Sequence, residues 1–375
     1  MEWRDFDPEW FLREVWQRKP LLIRQAFVGW DNPLEPDELA GLACEEGIEA
    51  RLVRREGADY KLENGPFAEE RFAALGEKDW SLLVQAVDHH VPEVAAMLEA
   101  FRFIPNWRID DVMVSYATAG GGVGPHFDQY DVFLFQGLGQ RRWQVGPLCD
   151  EASPLVEGAD LRLLANFTAV EDYVLEAGDM LYLPPGFAHD GVSLGSDCMT
   201  YSIGFRAPSR HELIGLWADD VLEGLVEDDR YGDAGLALQP NSGEIAPEAL
   251  ARMQAMVMET LGDKAAFARW FGRYSSQPKY PEVDWAPQEA LTLEDLRAAV
   301  LAGASVERNP ASRFAFVEQG AGVLLFVDGQ DYACEGEVAE FARAICGQVE
   351  VDVPPALAQS DLLLRLVNSG SLALV

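Results

Sequence analysis

Polar and apolar positions change rhythm several times along the chain. In "DPEWFLREVWQRKP" the apolar residues Trp10, Phe11, Val15 and Trp16 recur at helical spacing and stop before Pro20. With Asp7 available as a cap and Pro8 in the first turn, this predicts a short amphipathic helix. "EPDELAGLACEEG" and "WSLLVQAVDHHVPEVAAMLEAF" predict two more, so the first hundred residues read as mainly helical. From Trp107 to about Arg206 the pattern breaks into short runs punctuated by glycine and proline. "DDVMVSYAT", "DVFLFQG", "RRWQVG", "YVLEAGDMLYLPPG" and "CMTYSIGFRAP" are rich in Val, Phe, Tyr and Trp and predict strands. Many short strands without intervening helices imply a barrel or sandwich.

Helical spacing returns in "HELIGLWADDVLEGLVED" and "PEALARMQAMVMETLGDKAAFARWFGRY", within a segment covering 207–276. Helices this apolar directly after a barrel suit a dimer interface, with packing inside the chain as the alternative. "SSQPKYPEVDWAPQEA" is a proline-rich linker. Beyond it, at 288–375, a helix capped near Thr292 precedes the strands "RFAFVEQ", "GVLLFVDG" and "QDYACE", and helices in "EVAEFARAI" and "ALAQSDLLLRLVNSG" close a winged-helix-like unit. A chain of 375 residues exceeds the roughly 250 to 300 that one core usually supports. The expected division is therefore 1–206, with a barrel core at about 107–206, then 207–276 and 288–375.

Charge narrows the possible partners. Apolar residues make up 49% and charged residues 25%, ordinary for a globular protein, but 63 Asp and Glu against 29 Lys and Arg leave a net charge of -34. Such a surface repels phosphate backbones and anionic lipid and attracts a basic protein. Neither membrane nor direct nucleic-acid binding is expected, even with a winged-helix-like unit; a high-salt habitat would leave the same surface. Five widely spaced cysteines without a C-x-x-C pattern argue against a disulfide framework or a zinc-thiolate site. The N-terminal stretch has no apolar signal region and no run approaches the ~18 apolar residues of a spanning helix, so a cytoplasmic location is expected.

Candidate chemistry gathers on histidine, of which there are five. His89, His90 and His211 read as structural. In "GGGVGPHFDQYD", His126 and Asp128 stand two apart, which on a strand places an imidazole and a carboxylate on one wall. A third donor, His189, follows "GDMLYLPPGFA", a strand feeding a tight turn at a barrel mouth. Two histidines and a carboxylate form the facial triad that holds Fe(II) and leaves other positions open. Zinc prefers a closed tetrahedral set or a nearby hydrolytic base, and neither is evident.

The runs "WRIDDVMVSYATAGGGVGPHFDQYDVFLFQGLGQRRWQVG", "LEAGDMLYLPPGFAHDG" and "YSIGFRAP" resemble the JmjC-type cupin oxygenases. Within them they resemble the bacterial ribosomal oxygenases, which hydroxylate an arginine of large-subunit ribosomal protein L-sixteen. "PDELAGLA", "DWSLLVQAV" and "LVNSG" extend the likeness over most of the chain. The resemblance implies an α+β protein built on a double-stranded β-helix (the cupin/JmjC jelly roll), with N-terminal helices, a helical dimerisation segment and a C-terminal winged-helix-like domain. It implies Fe(II), 2-oxoglutarate and molecular oxygen, a basic ribosomal protein substrate and a homodimer. His126, Asp128 and His189 take the ligand positions.

In this superfamily a cation on the strand after the H-x-D motif binds the distal carboxylate of 2-oxoglutarate, and Arg141 occupies that place. Its planar fork suits a carboxylate, and Arg142 should face the other way. Ser115 is expected to donate to the same carboxylate. Alternation then turns Asp111 and Met113 inward with Ser115, and Tyr130 inward with His126 and Asp128. A buried Asp needs a partner. Asp111 would grip a substrate guanidinium, with Met113, Tyr130 and Ser202 lining the pocket; the alternative for Asp111 is an ion pair with Arg108 or Arg102. Histidine hydroxylation and N-methyl-lysine demethylation share the iron and 2-oxoglutarate residues, and a non-catalytic cupin is the rival from outside the enzymes.

Overall fold

The computed structural model describes residues 1–57, 59–226 and 229–375. They pack as two units, one of Met1–Ala207 with Lys279–Asp284 and Asn309–Ala311, the other of Pro208–Pro278, Trp285–Arg308 and Ser312–Val375.

The first unit carries eleven strands among its described residues: β1 (Leu21–Ile23), β2 (Ala50–Glu56), β3 (Asp59–Asn64), β4 (Trp80–Val84), β5 (Ile109–Ala117), β6 (Asp131–Leu138), β7 (Gln140–Leu148), β8 (Glu171–Glu176), β9 (Met180–Leu183), β10 (Phe187–Ser193) and β11 (Cys198–Phe205). An eight-stranded sheet runs β1-β9-β6-β11-β5-β4-β2-β3 and a three-stranded sheet runs β10-β7-β8, together a double-stranded β-helix. All pairings within them are antiparallel.

Strand alternation divides the core in two. Phe133 and Phe135 of β6 join a large cluster with Phe11, Phe101, Tyr182 and Phe205, while their neighbours Val132 and Leu134 join Trp143, Val145 and Leu175 in a smaller one. Successive side chains of a strand face opposite ways, so β6 is buried on both faces. The large cluster includes Phe11 from α1 (Pro8–Glu14), a helix capped as expected by Asp7, whose Oδ1 accepts the Glu9 and Trp10 N–H groups.

The N-terminal hundred residues are not mainly helical. Helices α2 (Pro36–Leu42), α3 (Glu69–Ala73) and α4 (Pro92–Ala95) are short, and β2, β3 and β4 extend the larger sheet. "WSLLV", read as the start of a long helix, is the strand β4, buried between β2 and β5. A continuous apolar run fits a strand paired on both edges as well as it fits a helix, and periodicity cannot separate the two. Ala86 then takes a left-handed φ of 50°, which ends the extended run.

The second unit has helices α5 (Arg210–Gly224), α6 (Pro247–Leu261), α7 (Lys264–Ser275), α8 (Leu293–Leu301), α9 (Gly336–Gly347) and α10 (Asp361–Asn368). Its strands are β12 (Ser305–Arg308), β13 (Phe314–Gln319), β14 (Gly322–Val327), β15 (Gln330–Cys334), β16 (Glu350–Asp352) and β17 (Leu372–Leu374), in two three-stranded sheets. Leu296, Leu325, Phe341, Ile345 and Leu363 are fully or nearly fully buried in its core. Thr292 caps α8 by accepting the Asp295 N–H. No described helix is long and apolar enough to cross a membrane.

Candidate metal centre and substrate cavity

His126 and Asp128 do not lie on a regular strand. They sit in the segment between β5 and β6, and His126 makes an isolated antiparallel bridge to His189 on β10. The two residues exchange backbone hydrogen bonds, His126 N–H to His189 O at 3.0 Å and His189 N–H to His126 O at 2.8 Å. Asp128 is tied down separately, its carbonyl accepting the Gly186 N–H at 2.7 Å. The glycine run serves this approach: a Cβ on Gly122 would stand 2.5 Å from the Gly191 carbonyl, and Gly124 has φ +79°, where side chains are strained. Backbone pairing, not strand alternation, therefore brings the donors together.

One ligand atom from each of His126, Asp128 and His189 falls within 4.8 Å of the others. His126 Nε2 lies 3.9 Å and His189 Nε2 3.6 Å from Asp128 Oδ2. Each imidazole has its other nitrogen engaged, Nδ1 of His126 with Gly124 O at 2.8 Å and Nδ1 of His189 with Phe187 O at 3.0 Å. A carbonyl only accepts, so Nδ1 carries the proton and Nε2 presents its lone pair. Burial, reinforced by His126, pushes the His189 pKa down to about 4, which keeps it neutral near neutral pH. Two imidazoles and one carboxylate suit a six-coordinate Fe(II) with positions left for other ligands.

Arg141 on β7 points inward and is 6% exposed, whereas Arg142 points outward to a bidentate pair with Asp172. Among the described residues the Arg141 guanidinium hydrogen-bonds only to hydroxyls, Ser115 Oγ and Thr200 Oγ1, each at 3.4 Å, and it packs over the Trp143 ring at 5.3 Å. Its Nε is buried with no hydrogen-bond partner. A desolvated cation without a close carboxylate is costly, and an incoming dicarboxylate would relieve it. Thr200 escaped the sequence reading. It lies directly opposite Ser115 across the β5–β11 pair, and its hydroxyl is oriented by donating to Gln136 Oε1 at 3.2 Å. Only the strand register reveals that position.

Asp111, Met113, Tyr130 and Ser202 line a single cavity of about 420 Å³. Ser202 is the cross-strand partner of Met113, and Tyr130, 43% exposed, stands at the rim. Asp111 is paired with neither Arg108 nor Arg102. Arg108 binds Asp131 at 2.9 Å, and Arg102 binds Glu99 at 2.6 Å. The partners of Asp111 converge on its Oδ2: Gln85 Nε2 at 2.7 Å, the Ala86 N–H at 2.8 Å and Lys279 Nζ at 3.2 Å. Burial raises the Asp111 pKa, and Lys279 opposes that rise.

The likeness to known proteins follows the same lines. A JmjC domain model matches residues 96–213, and a ROXA-like winged-helix model matches 256–373. The ribosomal protein uL16 3-hydroxylase of Escherichia coli is 41% identical over 289 residues, covering 77% of this chain and 75% of that protein. The chain belongs to the JmjC ribosomal oxygenases. A probable ribosomal oxygenase of Haemophilus influenzae is 38% identical over 274 residues, 70% of this chain and 66% of its own length. The X-ray structure of E. coli YcfD matches with a TM-score of 0.90 at 33% identity, covering 100% of both chains. YcfD in complex with cobalt and 2-oxoglutarate matches at 0.87 and 33%, covering 100% of this chain and 99% of that one. For a ribosomal oxygenase a His-Asp-His cluster in the same barrel as a buried arginine with no salt bridge among the described residues has a direct chemical sense.

Proposed function

We propose that the protein is an Fe(II)- and 2-oxoglutarate-dependent hydroxylase of an arginine side chain in large-subunit ribosomal protein L-sixteen, acting in the cytoplasm. The observation that carries this is the convergence of His126, Asp128 and His189 in the same barrel as the buried guanidinium of Arg141. The three donors hold the iron. Arg141, with Ser115 and Thr200, binds the distal carboxylate of 2-oxoglutarate. When bound, iron and 2-oxoglutarate would activate molecular oxygen, the oxidant, so that one oxygen atom converts an unactivated C–H into C–OH and the other enters succinate, with release of CO2.

The chain's own residues position the reactants and keep the site dry. Asp111 attracts the substrate's cationic head, while Met113, Tyr130 and Ser202 flank its aliphatic stem, so that one carbon is presented repeatedly to the same face of the metal. The apolar cluster around Trp143, Leu181 and Leu183 excludes water from the interior of the barrel. The net charge of -34 favours encounter with a basic ribosomal protein.

The test is incubation with Fe(II), 2-oxoglutarate and ribosomal proteins, read by mass spectrometry. One added oxygen on an arginine of protein L-sixteen supports the reading; loss of a methyl group would reassign the enzyme as a demethylase.

The partner on the second unit is a further copy of this chain. Helices α5 and α6 contact each other yet leave Ile214 62%, Leu222 65%, Leu250 57% and Val257 56% exposed. Rows of apolar side chains on paired helices suit a two-fold interface. Sedimentation should give twice the chain mass of 41.4 kDa, and Leu222→Glu with Val257→Glu should return it to the monomer.

A further inference from the structure

The cavity is lined by the carboxylates of Glu49, Asp110 and Asp111 and by the cations Arg51, Arg206 and Lys279, and nothing in Asp111 alone tells arginine from lysine. Of those cations, Lys279 sits on the acid pair itself. Lys279 Nζ lies 2.7 Å from Asp110 Oδ2 and 3.2 Å from Asp111 Oδ2, and its side chain is 17% exposed. Both carboxylates can reach it because of a break in strand register. Ile203 pairs with Val112 and Phe205 with Ile109, so Asp110 and Asp111 together oppose the single residue Gly204. Consecutive strand residues normally face opposite ways, but a bulge of this kind turns both toward one side. The cavity lining includes Asp110, Asp111, Gly204 and Lys279.

The two oxygens of Asp111 are unequally used. Gln85, the Ala86 N–H and Lys279 all approach Oδ2. Gln85 is held in the donating orientation because its Oε1 accepts from Arg51 at 3.1 Å. Oδ1 faces Gly204, standing 3.7 Å from where a Cβ would be. The position an incoming ammonium would favour, between two carboxylates, is thus already held by the enzyme's own ammonium, and among the described residues no donor bonds the neighbouring Oδ1 of this 2% exposed residue.

We propose that Lys279 is the specificity-determining residue of the substrate cavity, excluding ammonium groups by occupying their place while leaving Asp111 Oδ1 for a guanidinium. The inference rests on the proposed function and deepens it. A substrate lysine gains little, because it must displace one ammonium to seat another. A guanidinium is planar with a fork of donors, so it binds Oδ1 beside Lys279 without evicting it. Burial alone would lower the Lys279 pKa, but Asp111 and Asp110 outweigh burial and raise it, so the internal cation stays charged.

The test compares the wild type with Lys279→Met and Lys279→Gln, using protein L-sixteen and the same protein carrying lysine at the arginine that the wild type modifies. Dissociation constants are measured by calorimetry with 2-oxoglutarate and a redox-silent divalent metal. The wild type should prefer the arginine form. In both variants the lysine form should bind about tenfold more tightly, and the preference should shrink by a similar factor, the scale of one charged hydrogen bond. An unchanged preference overturns the proposal. So does loss of arginine binding without gain of lysine binding, or a loss of folded structure in both variants, since either would make Lys279 a strut for the acid pair. Lys279→Gln keeps a donor for Asp110, which guards against mere collapse. Wild-type protein that binds neither form would overturn the proposed function and this inference with it; wild-type binding with unaltered preference in the variants overturns the inference alone.

Discussion

The barrel holds two buried charged places of opposite design. At one, Arg141 is a cation whose only hydrogen bonds among the described residues are to hydroxyls, with Nε unpartnered. At the other, Asp110 and Asp111 are acids already paired with Lys279, and Asp111 is further bonded by Gln85 and the Ala86 backbone. On the proposed function, the difference follows the two ligands. A cosubstrate that is the same in every turnover can be met by a charge waiting for it. A side chain that must be chosen from many similar ones is better met by a charge with its default partner in place, so that only the right geometry adds anything.

The sharpest way to break this contrast is at the waiting charge. Arg141→Met should raise KM for 2-oxoglutarate on the order of 100-fold, because the distal carboxylate would lose a desolvated fork of donors. Binding of the protein substrate, measured separately by calorimetry, should change far less. Asp111→Asn should do the reverse, raising KM for protein L-sixteen roughly thirtyfold while uncoupled conversion of 2-oxoglutarate falls much less. Equal losses in both assays would mean that the two places do not act independently. Thr200→Val removes one hydroxyl beside Arg141 and should cost about fivefold in KM for 2-oxoglutarate.

The smallest effect concerns pH. Asp88 is 2% exposed, its Oδ1 accepts the Val112 N–H at 2.8 Å, and burial followed by repulsion from Asp111 raises its pKa to about 8. A carboxyl that holds its proton more tightly when folded contributes stability that is whole below its unfolded pKa, near 4, and is lost as pH rises through about 8. Melting temperatures of the wild type should therefore fall relative to Asp88→Asn between pH 5 and pH 9. A constant difference would show that the acidic place does not depend on this proton.

Much of this was legible in the residues themselves. His126, Asp128 and His189 stood out by type and spacing and do come together, Arg141 followed from the family resemblance, and Asp111, Met113, Tyr130 and Ser202 do line one cavity. Local pattern could not supply what depends on register or on distant chain. The register break opposite Gly204 turns Asp110 into the cavity, and no periodicity encodes it. Lys279 reaches Asp110 from 169 residues away, out of a stretch that reads only as a proline-rich linker. Strand β4 was hidden for another reason: an apolar run buried on both faces carries no two-residue rhythm.

The isolated bridge between His126 and His189 also bears on how the centre can be handled. Its spacing is set by two peptide hydrogen bonds and not by the ion. A chelator should therefore silence the enzyme without unravelling the barrel, and the stripped protein should accept a new divalent ion without refolding. Exchange of the metal becomes a matter of diffusion and affinity, which makes this centre a ready socket for spectroscopic ions.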